Sequence, residues 1–200
     1  MDPKHNDATG LPFGDVSRRD FLHGSVASAA LFALGDGHRF AFLETEQDAV
    51  VAQITAQHEA TVRMMREWIA LPSIAAENLN YPQGPDYMAK LARDAGFQHV
   101  EVIPTAGKSG VFATLDAGAP TSLAVYMMYD VKQFDPKEWS SPPLEGRLVD
   151  RPGLGKVMIG RGATNTKGPQ TAFLAALHAF KAAGRKPPVN IVLVAEGEEE

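Results

Sequence analysis

The stretch from Gly168 to Glu200, GPQTAFLAALHAFKAAGRKPPVNIVLVAEGEEE, decides the fold. Its first half reads as a helix. Pro169 stands at an early helical position, where a missing N–H costs nothing, and the helix packs through Phe173, Leu174, Leu177 and Phe180. Gly184 and the pair Pro187-Pro188 end it. Its second half, Val189 to Val194, reads as a buried strand that runs straight into Glu196-Gly197-Glu198-Glu199-Glu200. Upstream, Leu123–Met128 reads as another strand buried on both faces, and Val100–Ile103 and Val111–Leu115 as shorter ones. A helix is expected from Thr45, with Val51, Ile54, His58, Val62, Met65 and Ile69 on one face, a Thr45–Asp48 capping box at its start and Pro72 at its end. A second helix is expected near Pro85, burying Met88, Leu91 and Ala95 and stopping at Gly96. Ile74–Pro82 reads as a loop, and residues 132–156 as a long surface excursion. Helices between buried strands predict an α/β fold, with a central, mostly parallel sheet flanked by helices.

The composition agrees. The chain has 200 residues, 44% of them hydrophobic and 22% charged, enough apolar material for one core. A net charge of -5 argues against a nucleic-acid partner. No apolar run approaches the ~20 residues of a stable membrane span. With no cysteine, disulfides, thiolate zinc sites and a cysteine nucleophile are all excluded.

Residues 1–40 read as a leader. Ser17-Arg18-Arg19-Asp20-Phe21-Leu22 precedes the small, weakly apolar stretch Gly24–Leu34, a pattern similar to a twin-arginine export signal. It predicts an exported, periplasmic protein. The plainer alternative is a short amphipathic helix with a charged start. Residues 41–200 are then the folded part.

In α/β sheets, sites form just past the carboxyl ends of strands. Tyr129-Asp130 and the terminal glutamates stand there, and Gly160-Arg161-Gly162-Ala163-Thr164-Asn165-Thr166-Lys167-Gly168 leads into the helix between them. The last segment is neither a dinucleotide-binding fingerprint nor a P-loop. Arg161 and Lys167 are read as supports of their own loop.

Taken in order, Leu71-Pro72-Ser73-Ile74, Tyr129-Asp130-Val131, Trp139-Ser140-Ser141-Pro142-Pro143, Gly160-Arg161-Gly162-Ala163 with Lys167-Gly168, and Glu196-Gly197-Glu198-Glu199-Glu200 resemble the M20 family of zinc metallopeptidases. That family includes dipeptidases, glutamate carboxypeptidases and acyl-amino-acid deacylases. The resemblance covers roughly residues 45–200. It implies the N-terminal part of a zinc-peptidase-like catalytic domain, a two-zinc site, a peptide or N-acyl amino acid substrate, and a lid domain beyond Glu200 through which a homodimer could form. Carried over by position, Asp130 orients a metal-binding histidine, Glu199 is the general base and Glu200 is a zinc ligand. Met128 stands where the family has that histidine, and Asn165 where it has the aspartate bridging both metals. A thioether suits zinc poorly, and a neutral amide cannot supply an anionic bridge.

Three expectations follow. The parent protein is an exported hydrolase of amide or peptide bonds with an altered metal site; or it binds a peptide or acyl-amino acid without cleaving it; or the chain is a non-functional fragment. For the polypeptide as it stands, the expectation is a truncated product without independent activity.

Overall fold

The computed structural model describes residues 37–200, with side chains from Gln47 onward. The twin-arginine pattern lies outside the described residues. The chain divides into a segment ending at Thr45 and a body from Glu46 to Glu200. Helices α1 (Gly37–Ala56) and α2 (His58–Ala70) are separated by a single turn residue, Gln57. Helix α3 (Gln83–Ala95) ends at Gly96, whose φ of 104° is the left-handed geometry of a glycine C-cap. Strands β1 (His99–Ile103), β2 (Gly110–Leu115) and β3 (Ser122–Met128) follow, then β4 (Arg147–Arg151), β5 (Gly155–Ile159), α4 (Lys167–Ala182) and β6 (Asn190–Glu196). No helix among the described residues is long and apolar enough to cross a membrane.

Several expectations need correction. Thr45 lies inside α1, so it does not cap a helix start. The expected apolar face is only partly buried: Val51 and Ile54 are half exposed, Val62 and Met65 are partly covered, and of that face only Ile69 is fully buried, beside Trp68 and, in α1, Val50. Residues 132–156 are not all loop, since β4 and most of the antiparallel β4–β5 hairpin fall there.

The main sheet has the order β1-β2-β6-β3 and is mostly antiparallel, not mostly parallel. The β1–β2 and β2–β6 pairs are antiparallel, and β3–β6 is the parallel pair. The reason is local: six residues join β1 to β2, which permits a hairpin but not a crossover. The connection from β3 to β6 is long and contains α4, as a parallel pairing requires. Strand β3 is an edge strand, not one buried on both faces, and Leu123 and Tyr126 are exposed. Strand β6 is central but alternates, with Ile191, Leu193 and Ala195 buried and Val194 half exposed.

The core lies between helices and sheet. Met88 and Leu91 of α3, Leu174 and Leu177 of α4 and Trp68 of α2 meet Val111, Ala113, Met127, Ile191 and Leu193. Each large side chain buried in this way contributes about 1.5–3 kcal/mol.

Candidate active site at the ends of two parallel strands

The parallel register sets Met128 opposite Glu196. Consequently, Met128-Tyr129-Asp130 and Glu196-Gly197-Glu198-Glu199-Glu200 leave the sheet side by side. The ladder runs one step further, with the Tyr129 N–H donating to the Glu196 carbonyl at 2.8 Å. A third segment joins them: Ser73 bridges to Asp130, and its carbonyl accepts from the Val131 N–H at 2.9 Å.

Asp130 is 1% exposed. One carboxylate oxygen, Oδ2, accepts from the Glu200 N–H at 3.0 Å, while Oδ1 is buried with no hydrogen-bond partner among the described residues. Burial pushes its pKa up, and the Glu200 N–H pulls the other way. The Glu200 side chain is only 3% exposed. Its Oε1 accepts from the Asn165 amide nitrogen, and its Oε2 lies 3.4 Å from Lys132 Nζ. Asp130, Glu200 and Asn165 are thus drawn into one hydrogen-bonded group. Glu199 is exposed beside it, near enough for its charge to act on Asp130. Met128 ends β3 half-buried and holds its place through the pairing with Glu196.

The glutamate turn is clamped by aromatic residues. Tyr81 donates its hydroxyl to the Gly197 carbonyl, and the Tyr129 hydroxyl donates to the Ser109 carbonyl at 2.5 Å. Burial raises the pKa of both phenols. Gly197 lies against the Tyr129 ring so closely that a Cβ there would stand 2.1 Å from Cζ. Gly197→Ala is therefore expected to cost about 1–3 kcal/mol by overpacking, read as a lower urea midpoint. An unchanged midpoint would show that the ring yields.

The Asn165 loop is fixed from both ends. Its Gly162 has a φ of 84°, and a Cβ there would lie 2.9 Å from Val131. Arg161 lies over the Trp139 ring at 5.0 Å and the Phe134 ring at 5.7 Å, donates to the Gln133 carbonyl at 3.4 Å, and its backbone N–H donates to the Pro143 carbonyl at 2.7 Å. This is why the Trp139–Pro143 motif accompanies the glycine-rich one. Lys167 does more than support its loop. It is fully buried, and its Nζ donates to the carbonyls of Trp68 at 2.7 Å and Leu71 at 2.9 Å, closing the C-terminus of α2. Burial pushes its pKa down to about 7, against the pull of Asp130.

Sequence reasoning missed Lys132 and Tyr81. Lys132 follows the strand-end aspartate by two residues, a position from which a basic side chain reaches the strand-end cluster, and that spacing was the available signal. Tyr81 carries no local signal, because its partner Gly197 is 116 residues away.

Residues 124–200 match Peptidase family M20/M25/M40. The chain carries part of an M20 peptidase domain. A Cys-Gly metallodipeptidase of Saccharomyces cerevisiae is 35% identical over 80 residues, 40% of this chain and 16% of that protein. A succinyl-diaminopimelate desuccinylase of Bordetella parapertussis is 30% identical over 143 residues, 70% of this chain and 35% of the other. Among solved structures, human carnosine dipeptidase 1 has a TM-score of 0.62 at 25% identity, over 74% of this chain and 34% of that one. The yeast dipeptidase structure gives 0.63 at 23% identity, covering 75% of this chain and 34% of its own, and supports the M20 fold. The chain therefore spans about a third or less of the length of these M20 relatives.

Proposed function

We propose that this chain supplies the glutamate-bearing part of an M20-type hydrolase that cleaves the amide bond of a peptide or N-acyl amino acid. The observation that carries this reading is that Glu199 is exposed beside the buried Asp130 and next to a Glu200 side chain that is only 3% exposed. An exposed carboxylate there can take a proton from an attacking water and return it to the leaving amine. Asp130 fixes the backbone of that turn through the Glu200 N–H. The M20 relatives bear the names of dipeptidases and a desuccinylase, which support a small amide substrate.

Zinc is the family's metal, but the residues present do not fit a two-zinc centre. Met128 offers a thioether, Asn165 a neutral amide whose nitrogen already points at Glu200, and Glu200 a carboxylate already engaged on both oxygens. Asp130 Oδ1, buried and unpartnered, faces no imidazole N–H from position 128. Among the described residues, no three His, Cys, Asp or Glu side chains converge on a metal position. These same contacts favour a second reading, a homologue that binds a peptide or acyl-amino acid without cleaving it.

The two readings separate in one assay on the full-length protein, with a panel of dipeptides and N-acyl amino acids, with and without chelator. Hydrolysis of any member supports the hydrolase. Saturable binding with no turnover replaces it by the binding homologue.

Export belongs to the same proposal, carried by Ser17-Arg18-Arg19-Asp20-Phe21-Leu22. A reporter fused behind residues 1–40 is expected to reach the periplasm, and the Arg18→Lys, Arg19→Lys pair to hold it in the cytoplasm. A reporter that stays inside without those changes would remove the export reading.

A further inference from the structure

We propose that Lys132 and Asn165 together take the place of a metal ion at Glu200, so that the chain's own cation and amide hold this carboxylate in position. The inference rests on the reading above only in taking Glu200 as the family's metal-binding carboxylate.

A carboxylate side chain that is 3% exposed has lost most of its hydration, and partners from the chain must replace that water. Both oxygens of Glu200 are served from within the chain. The Asn165 amide donates to Oε1, and the Lys132 ammonium stands 3.4 Å from Oε2. The Glu200 backbone is pinned separately, through its N–H to Asp130. The two partners come from different segments and contact different oxygens. Lys132 follows Val131, whose N–H is bonded to Ser73, and Asn165 comes from the loop leading into α4.

The chemistry of position 165 explains why these two residues belong together. An aspartate there would set a second anion at hydrogen-bond distance from Glu200. Two such charges repel unless a cation lies between them. An amide at the same position reverses the sign, because its N–H donates to the carboxylate. Lys132 then supplies the one positive charge that Glu200 still lacks. A lysine ammonium is a compact point charge with three donors, well suited to this role. Met128 completes the pattern by offering zinc nothing it prefers.

The test uses the full-length protein, stripped with chelator and dialysed, with zinc as the probe. Four forms are compared: the unaltered protein, Lys132→Gln, Glu200→Gln, and the Lys132→Gln, Glu200→Gln pair. The readouts are zinc bound per chain and the unfolding midpoint. The unaltered protein is expected to take up no zinc that depends on Glu200, and its midpoint to stay put when zinc is added. Lys132→Gln is expected to lower the midpoint by about 2–4 °C in the metal-stripped protein, and to have no effect once Glu200 is glutamine. Lys132 is 68% exposed, so this replacement leaves the fold intact and the cycle decides by itself. Combining Lys132→Gln with Asn165→Asp and Met128→His is expected to tighten zinc binding more than about tenfold and make the midpoint rise with zinc. Two results would overturn the proposal: zinc uptake by the unaltered protein that Glu200→Gln abolishes, or a Lys132→Gln effect that is the same with and without Glu200. Hydrolysis on the same samples is scored separately, so an inactive protein with the expected cycle removes the hydrolase and keeps this inference.

Discussion

Lys167→Ala is expected to lower the stability of the folded protein by about 3–5 kcal/mol. The side chain is fully buried, and its Nζ closes the carbonyls of Trp68 and Leu71 at the end of α2. Helix ends leave their last carbonyls without intrahelical partners, and a buried one left bare costs about 1–3 kcal/mol. Alanine removes the cap and the four-carbon stem together, so a cavity is added to the lost bonds. Lys167→Met separates the two, keeping the stem and losing only the donors, and is expected to recover part of the loss. Urea titration of the three proteins measures both steps. A Lys167→Ala midpoint equivalent to less than about 1 kcal/mol of change would mean that α2 finds another cap. The site would feel the loss too, because α2 leads directly into Pro72 and Ser73, the segment lying alongside Asp130.

Glu199→Gln is expected to reduce turnover of whichever amide substrate the full-length protein cleaves by about 10²–10⁴-fold. Glutamine has the same shape but cannot accept the proton of an attacking water. Because Glu199 is exposed, the unfolding midpoint should stay where it is, which separates a chemical effect from a structural one. KM should change little. Turnover within tenfold of the unaltered protein would take the base role away from Glu199.

Much of this site could be read from the residues, because its motifs are local. Asp130, Glu199 and Glu200 stand where strand ends place them, and Asn165 is carried by a loop whose glycines and Arg161 can be read directly. Helices α3 and α4 were legible for the same reason: Met88, Leu91, Leu174 and Leu177 recur at helical spacing, and glycine follows each helix. Strand direction was not legible. An apolar run such as Leu123–Met128 looks the same in a parallel or antiparallel sheet, and only the pairing of β6 with both β2 and β3 decides. Exposure at the sheet edge was equally hidden, since Tyr126 and Val194 are as apolar as their buried neighbours. The Lys132–Glu200 pair joins residues far apart in the chain, so the spacing of Lys132 from Asp130 hinted at the cluster but not at this partner.

The hydrogen bond from Glu200 to Asp130 joins residues 70 positions apart. Closing a loop of that size costs entropy that local helix and hairpin contacts do not repay. The β4–β5 hairpin and α4 can therefore form early, while β3 and β6 are still separate. At that stage every motif is present, yet the carboxylates remain hydrated and unpaired. Only the arrival of β6 beside β3 brings them together, so the candidate site is assembled by a long-range pairing and not by any of its motifs alone.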